Sequence, residues 1–252
     1  MRRDRIYLYD NMRAILILSV VIGHYIDNYT ADSDAFRGLF LFICSFHMPA
    51  FIFLSGLFQK DRWELSRVLG FVFIGFALKI TTSLVSLLLG WRVSLSLLQD
   101  PSVPWFMFAL AGYITMSHVL RGVDKRFLLI FSVLLGCFVG YDDSIGDWMY
   151  LSRLVVFYPF FILGQMCERE KLTAFSRRPA FRLGGLAVLA LWGAVCMLAP
   201  DTVYPLRRLF TGRNPFGAQF YPWGFAWRAL CYGITLLVVL RFCARRQRGG
   251  CR

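Results

Sequence analysis

GLFLFICSFHMPAFIFLSGLF, residues 38–58, contains no aspartate, glutamate, lysine or arginine. An apolar run of about 20 residues is long enough to cross the hydrocarbon core of a bilayer as one helix. Within this run, Pro49 should kink the helix, and Ser55 and Gly56 should let another helix approach closely. The run therefore predicts a transmembrane helix whose shape depends on these three residues.

Further apolar runs follow one another along the whole chain. Together with residues 38–58, they predict helices at about 12–29, 38–58, 68–89, 104–120, 127–141, 151–167, 183–199 and 224–242. The sequence shows no internal repeat and no soluble domain. The expected fold is all-α, a single membrane domain over residues 1–252 that forms a bundle of about eight transmembrane helices embedded in the lipid bilayer.

The composition is apolar and basic at the same time. Apolar residues make up 58% of the 252 positions, charged residues only 17%, and the net charge is +13. In a soluble protein this balance would suggest a nucleic-acid partner. Here the basic residues cluster in short loops between apolar runs, and there is too little polar sequence to build a basic solvated surface. We therefore expect no nucleic-acid partner.

Lysine and arginine are distributed unequally between the two sides of the predicted spans. Segments on the side of the N-terminus carry 19 of them and the opposite segments carry seven, while Arg13 and Lys79 fall within predicted helices. Because cytoplasmic loops are enriched in Lys and Arg, this bias predicts eight spans in a multi-pass protein of the cell membrane, with both termini cytoplasmic. The apolar residues 14–23 follow a basic start, but no clean cleavage site follows them, so we expect a retained first helix rather than a signal peptide.

Seven cysteines are scattered along the chain, and most of them lie inside apolar runs. None forms a CxxC pair or a Cys/His spacing typical of a metal site. The sequence therefore predicts neither a disulfide framework nor a bound metal.

Ionisable residues inside the predicted spans are the candidates for chemistry, because such groups are costly in a bilayer and usually functional. Arg13 and His24 are eleven residues apart on the first helix, which places them on nearly the same face with about 16 Å of rise between them. Arg13 should lie near the cytoplasmic boundary and His24 near mid-depth. His47 should reach a similar depth on the second helix, so the two imidazoles could face each other. Lys79 is weaker, since one lysine can snorkel or pair structurally.

This arrangement suits a reaction between partners on opposite sides of the membrane. A neutral imidazole can take a proton from a hydroxyl nucleophile, or attack a thioester and carry the acyl group itself. Arg13 could hold a phosphate of a cytoplasmic donor. Asp27 and Asn28, one turn beyond His24, could orient its ring. The structural alternative is that the histidines only hydrogen-bond neighbouring helices.

The longest outer loop, about residues 200–223, is rich in proline, glycine, arginine and aromatic residues. Aromatic and arginine side chains suit stacking on sugars and binding of anionic groups. An interfacial aromatic belt explains the same composition.

The spacing of Arg13 and His24, with ten residues between them, and the later FHMPAFIFLSG at 46–56 together resemble the acyltransferase 3 family of membrane enzymes. The FHMP version is similar to the branch described as fucose 4-O-acetylase-like. VPWFMFAL at 103–110 and RLVVFYPFFILGQ at 153–165 are similar to further family segments in the same order. The resemblance covers roughly residues 8–167 and is weaker beyond them.

The resemblance implies an O-acyltransferase of cell-surface or exported glycans. Its co-substrate would be acetyl-CoA or another acyl-CoA, its acceptor a carbohydrate hydroxyl, and no metal would take part. The implied site residues are the essential histidine His24, its paired basic residue Arg13, the second-helix motif His47, Pro49, Ser55 and Gly56, and Arg153 before the later aromatic element.

The chain also departs from the family pattern. Members commonly have ten spans and a late Gly-Arg-Asn-like turn, whereas eight spans are predicted here and residues 212–214 fall in an outer loop. We therefore expect a chain without the last two spans, and an inactive truncated member is one alternative. A small secondary transporter or lipid-linked-sugar flippase is another, although the sequence shows no inverted repeat and no paired broken helices.

Overall fold

The computed structural model describes residues 7–59, 63–90, 104–146, 148–168, 172 and 178–242. Within these ranges the chain is all-helical, which confirms the predicted fold class. Nine helices are longer than one turn: α1 (Tyr7–Asp27), α2 (Asp34–Cys44), α3 (His47–Leu57), α4 (Leu65–Leu88), α5 (Trp105–Val119), α6 (Lys125–Phe138), α7 (Leu151–Met166), α8 (Pro179–Leu198) and α11 (Gly224–Phe242). Two one-turn helices, α9 (Pro200–Val203) and α10 (Arg207–Phe210), lie between α8 and α11.

Part of the predicted charge pattern lies outside the described residues. This part comprises Arg2, Arg3, Arg5, Lys60, Arg62, Arg92, Arg169, Lys171, Arg177 and the arginines from 245 onwards.

Several of the helices are suited to a multi-pass membrane protein. In the described ranges three segments are long and apolar enough to cross a bilayer: Asp34–Leu57, Leu65–Leu88 and Trp148–Met166. A fourth is obtained when Leu183–Leu198 and Pro200–Phe210, which meet at 104°, are counted as one bent span. The apolar helices Trp105–Val119 and Gly224–Leu240 are shorter. The count of eight spans and the placement of both termini stay predictions.

Helix α4 is mostly exposed and presents apolar side chains to its surroundings. Only 11% of its most apolar stretch is buried, and Phe73 and Leu84 are among its exposed apolar side chains, as expected for a helix that faces lipid. Lys79 is the exception. Its side chain is buried, and Nζ lies 5.6 Å from the centroid of the Tyr150 ring. This lysine therefore packs into the protein instead of snorkelling to the interface.

The single helix predicted over residues 38–58 is interrupted. Helix α2 ends at Cys44, Ser45 and Phe46 form a turn, and α3 begins at His47. Pro49 is the third residue of α3, where a missing N–H costs no hydrogen bond, because the first N–H groups of a helix have no partner within it. The distortion expected at Pro49 thus takes the form of a break in front of it.

A second interruption lies at the end of α8. The chain turns by 104° between this helix and the segment that starts at Pro200. Proline fixes its own backbone angle and cannot donate a hydrogen bond to the helix before it. The described residues therefore contain two interrupted helices, one between α2 and α3 and one after α8.

The closest helix crossing joins α3 and α7. A Cβ at Gly56 would overlap the carbonyl oxygen of Phe161, and one at Gly164 would overlap the carbonyl oxygen of Phe53. The two glycines therefore let the two backbones touch, as predicted for Gly56. The Ser55 hydroxyl donates to a carbonyl one turn back in its own helix at 2.8 Å. This crossing lies in the main apolar core of the protein.

Residues 200–223 fold back onto the helices instead of forming an extended loop. Arg37 of α2 forms an ion pair with Asp201. The backbone N–H of Phe216 donates to the carbonyl of Gly140 at 2.7 Å. The Tyr141 hydroxyl donates to a carbonyl near the end of the segment at 2.5 Å. These contacts hold the segment over the end of the bundle where α1 ends and α7 begins.

Candidate active site

A cavity of about 110 Å³ lies where α1, α2, α3, α5 and α7 meet α10 and the turn that follows it. Aromatic side chains form much of its wall, among them Trp105, Phe157 and Phe210. Its ionisable lining residues are His24, Asp27, His47, Arg153, Arg207 and Arg213. Three of these, His24, His47 and Arg153, are candidate site residues predicted from the sequence.

His24 lies in the last turn of α1, and its depth in the bilayer stays a prediction. The helix ends at Asp27 because side chains beyond it take up its last carbonyls. Asn28 Nδ2 donates to the carbonyl of His24 at 3.3 Å, and Thr30 Oγ1 donates to the carbonyl of Asp27 at 2.9 Å. Asn28 therefore caps the helix, and this corrects the expectation that it orients the imidazole.

His47 owes its position to the break between α2 and α3. Its Nδ1 lies 2.8 Å from the carbonyl oxygen of Ile43. A carbonyl oxygen can only accept, so Nδ1 carries the proton of this bond. Nε2 of a neutral His47 is then the ring nitrogen with a lone pair, which can accept a proton or attack an electrophile. His24 and His47 line the same cavity, as expected from the sequence.

Arg153 enters the cavity from the first turn of α7. Its side chain is 3% exposed, and Cζ lies 5.0 Å from the centroid of the Trp105 ring. Stacking on an indole stabilises a guanidinium group and fixes its plane. The hydroxyl of Tyr113 donates to the backbone carbonyl of Arg153 at 3.2 Å. The structure thus brings the predicted Arg153 beside both histidines.

Arg13 does not line this cavity. Its guanidinium lies 3.5 Å from the Asp10 carboxylate and 4.6 Å from the centroid of the Phe58 ring, just past the end of α3. Eleven residues of helix separate Arg13 from His24 by about 16 Å of rise. Arg13 therefore lies in the second turn of α1 and His24 in its last turn.

The other three predicted motif residues shape α3 instead of lining the cavity. Pro49 belongs to the first turn of the helix, Ser55 bonds within it, and Gly56 contacts α7. Their positions fit the architectural role considered for them from the sequence.

Arg207 is a cavity residue that the sequence alone did not single out. Its Nη2 donates to Asp27 Oδ1 at 2.8 Å and its Nη1 to the Tyr204 hydroxyl at 2.7 Å. Its Cζ lies 4.6 Å from the centroid of the Phe40 ring. The carboxylate of Asp27 therefore binds Arg207 through Oδ1, and a role in orienting His24 stays a prediction. The sequence feature that pointed toward Arg207 was the high arginine and aromatic content of residues 200–223.

Arg213 reaches the cavity from a turn held by a buried arginine. Arg228 is 0% exposed, and its guanidinium donates to the carbonyl of Arg213 at 3.3 Å and to Asn214 Oδ1 at 2.9 Å. Gly212 adopts φ = 70°, a left-handed conformation that glycine adopts readily. The Ser152 hydroxyl donates to the carbonyl of Gly212. The Gly-Arg-Asn turn at 212–214 is thereby fixed against the start of α7.

The cavity lining carries an excess of positive charge. Three arginines and one aspartate are among its residues, so two positive charges remain in excess when both imidazoles are neutral. Such a lining attracts anions and stabilises negative charge that develops in a reaction. Among the described residues, no three histidine, cysteine, aspartate or glutamate side chains are grouped as a metal ion would require.

Comparison with known protein families gives one match. A family model described as an acyltransferase domain, of the acyltransferase 3 type, matches residues 6–250. The match includes every cavity residue and continues well beyond residue 167, where the motif resemblance weakened. The comparisons with curated proteins and with solved structures gave no match.

Proposed function

This chain belongs to the acyltransferase 3 family, and on that premise we propose that it transfers an acetyl or other acyl group from cytoplasmic acyl-CoA to a hydroxyl of a cell-surface or exported carbohydrate. Family membership implies a membrane acyltransferase. The observation that carries the finer proposal is that His24, His47 and Arg153 line one cavity. The FHMP residues at 46–49 favour the fucose 4-O-acetylase-like branch, whose acceptor is a sugar hydroxyl.

In the direct route, an imidazole in the cavity acts as the general base. The hydroxyl oxygen attacks the thioester carbonyl carbon while its proton passes to the imidazole nitrogen. The carbon–sulfur bond then breaks, and the sulfur of CoA leaves with a proton returned by the imidazolium. Arg153 supplies positive charge for the oxyanion that forms between these steps.

In the covalent route, an imidazole nitrogen attacks the thioester itself. The carbon–sulfur bond breaks, CoA leaves as the thiol with the proton of the other ring nitrogen, and an acyl-imidazole remains. The hydroxyl oxygen then attacks the acyl carbon, the carbon–nitrogen bond breaks, and the hydroxyl proton passes to the ring and restores the histidine. His24 is the proposed reacting residue in both routes. His47 assists it, because the lone pair at its Nε2 can accept a proton.

Arg13 serves the donor at the other end of α1. Its guanidinium group suits the phosphates of CoA, because a planar fork of donors matches phosphate oxygens. The long pantetheine arm separates these phosphates from the thioester. Arg13 and His24, about 16 Å apart along the helix axis, therefore fit the two ends of one acyl-CoA molecule.

The decisive test replaces His24 with alanine and compares it with His118→Ala. His118 is in the last turn of α5, stacked on Trp63 with 4.6 Å between ring centroids, and does not line the cavity. In membranes that receive labelled acetyl-CoA, His24→Ala should incorporate label into glycan about 10²–10⁴-fold more slowly than wild type. His118→Ala should transfer normally. Protein level and membrane insertion are measured in parallel.

The same assay separates the alternatives. Near-normal transfer by His24→Ala would contradict the mechanism whatever the family. A wild-type protein that moves an intact sugar or lipid-linked sugar across the membrane without incorporating label would instead be a transporter. An inert wild type that gains transfer when two C-terminal spans of a relative are fused to it would be an incomplete enzyme.

A further inference from the structure

Two arginines in the cavity wall have no part in the proposed transfer chemistry. Arg207 and Arg213 both come from the segment that folds over the end of the bundle, and both line the cavity with His24 and His47. Neither is needed to move a proton or to carry an acyl group. Arginines placed in this way suit the binding of an anionic group of a ligand in the cavity.

Other contacts of the protein hold the Arg207 guanidinium group and the Arg213 backbone in place. Arg207 is fixed by Asp27, by the Tyr204 hydroxyl and by the ring of Phe40. The backbone of Arg213 is fixed by Arg228 from α11. Positioned donors lose little freedom when a ligand arrives, which raises its affinity.

One N–H donor of Arg213 also lacks an acceptor among the described residues. Its Nε is buried and has no hydrogen-bond partner in the part of the chain that the structure describes. A buried donor without an acceptor is unfavourable unless a ligand supplies the acceptor. Asp27 is the one carboxylate among the lining residues, and it already binds Arg207.

The rest of the wall suits a sugar ring. Trp105, Phe157 and Phe210 present aromatic surface beside the arginines. Aromatic faces contact the apolar C–H face of a sugar, while guanidinium groups bind carboxylate or phosphate in a bidentate manner. The two features together describe a carbohydrate that carries a negative charge.

We propose that the acceptor is an acidic glycan, and that Arg213, with Arg207 beside it, binds the carboxylate or phosphate of the sugar that is acylated. This inference rests on the proposed transfer to a carbohydrate. It adds a substrate class that the neutral fucose-type acceptor of the resembled branch does not imply. Arg213 and Arg207 are then specificity-determining residues, and the histidines remain the reacting ones.

Binding of small probes to the purified full chain in detergent tests this proposal without any turnover. The probes are D-glucuronate, its methyl ester and D-glucose, and the readout is the dissociation constant from thermal stabilisation. Wild type should bind glucuronate at least tenfold more tightly than either neutral sugar. Arg213→Gln should weaken glucuronate binding about tenfold to a hundredfold and leave the neutral sugars unaffected.

The matched control is Arg208→Gln. Arg208 is next to Arg207, is exposed, and donates from Nε to the carbonyl of Pro215 at 2.7 Å outside the cavity. It should bind glucuronate as wild type does. If wild type shows no preference for glucuronate over its methyl ester, or if Arg208→Gln weakens binding as much as Arg213→Gln, the proposal is overturned.

Coenzyme A is the other source of anionic groups, and a second arm distinguishes it. If the arginines bind acceptor, CoA and dephospho-CoA should bind Arg213→Gln as tightly as wild type, and CoA should not displace glucuronate. Competition between CoA and glucuronate, with loss of CoA affinity in Arg213→Gln, would assign the arginines to the donor and contradict an acidic acceptor. Because the readout is binding, a failure of acyl transfer in the His24 experiment leaves it interpretable.

Discussion

At the scale of single residues, the most informative contact is the one between His47 and the carbonyl of Ile43. In an uninterrupted helix this oxygen would accept a backbone N–H from four residues ahead. At the break it accepts the imidazole Nδ1–H at 2.8 Å and the backbone N–H of Phe46 at 3.3 Å. The contact ties the orientation of a candidate reacting group to the local shape of the backbone. Substitutions of His47 should therefore separate its hydrogen bond to Ile43 from any part that its Nε2 takes in the reaction.

The pair His47→Asn and His47→Ala makes this separation. Asparagine can still donate its amide N–H to Ile43, but it has no basic nitrogen in place of Nε2, and alanine lacks both. If His47 takes part in the reaction, both variants should lose transfer to a similar extent, on the order of 10²-fold. Only His47→Ala should also lower stability, by about 1 kcal/mol. Transfer from labelled acetyl-CoA and the thermal midpoint in detergent are the measurements. Normal transfer by His47→Asn would show that His47 is only an anchor.

At the scale of elements, the crossing of α3 and α7 fixes the distance between the two helices that carry His47 and Arg153. Gly56 and Gly164 let the backbones touch, so both helices have little freedom to shift. Tightly packed crossings of this kind tolerate no added volume without movement of backbone. The geometry of the cavity therefore depends on a contact that lies well away from it in the sequence.

Gly56→Ala should be strongly destabilising, because the new Cβ would overlap the Phe161 carbonyl, and a carbonyl cannot rotate away as a side chain can. We expect a loss of about 1–3 kcal/mol, with reduced transfer. The control is Gly70→Ala in α4, where no atom lies within 4 Å of the new Cβ. That change should be neutral or stabilising by up to about 1 kcal/mol. Thermal midpoints in detergent compare the two, and equal midpoints would show that the crossing is looser than the structure indicates.

The sequence predicted the elements better than their breaks. Hydropathy located α4, α5 and α7 to within a few residues, because a long apolar run usually forms a membrane-spanning helix. It joined α2 to α3, because Ser45 and Phe46 are no more polar than their neighbours and Pro49 can also sit inside a kinked helix. His24 and His47 were singled out because imidazoles are rare inside apolar runs, and Arg153 was singled out by the resemblance to the family motif. Arg207 and Arg213 were missed, because in an outer loop an arginine is unremarkable until the fold brings it inward.

At the scale of the whole molecule, the two ends of the helix bundle differ. The difference concerns the folded segment at 200–223 and the distribution of basic residues. The cavity with its three arginines is at the end of the bundle where α1 ends and α7 begins. Phe58, just before one of the basic segments counted toward the cytoplasm, contacts Tyr9 and Arg13 in the first two turns of α1. The predicted topology would thus separate a cytoplasmic donor from an outer acceptor along the length of α1.

Reporter fusions test this topology directly. Fusions at residues near 33, 95, 145 and 210 should be active outside the cytoplasm, and fusions near 63, 123, 175 and the C-terminus should be active inside it, because 19 basic residues favour the second set of segments and seven favour the first. Expression of each fusion is checked with an antibody to the reporter. A C-terminal fusion active on the outside would rule out eight crossings.

The ion pair between Arg207 and Asp27 joins positions 180 residues apart in the chain. Translation proceeds from the N-terminus, so His24 and His47 are synthesised long before Arg207, Arg213 and the Arg228 that holds the turn. Segments that fold during synthesis do so in this order. A nascent chain that stops before residue 200 therefore carries both cavity histidines but only part of the cavity wall. The cavity can close only after the ribosome has added the segment that folds over it.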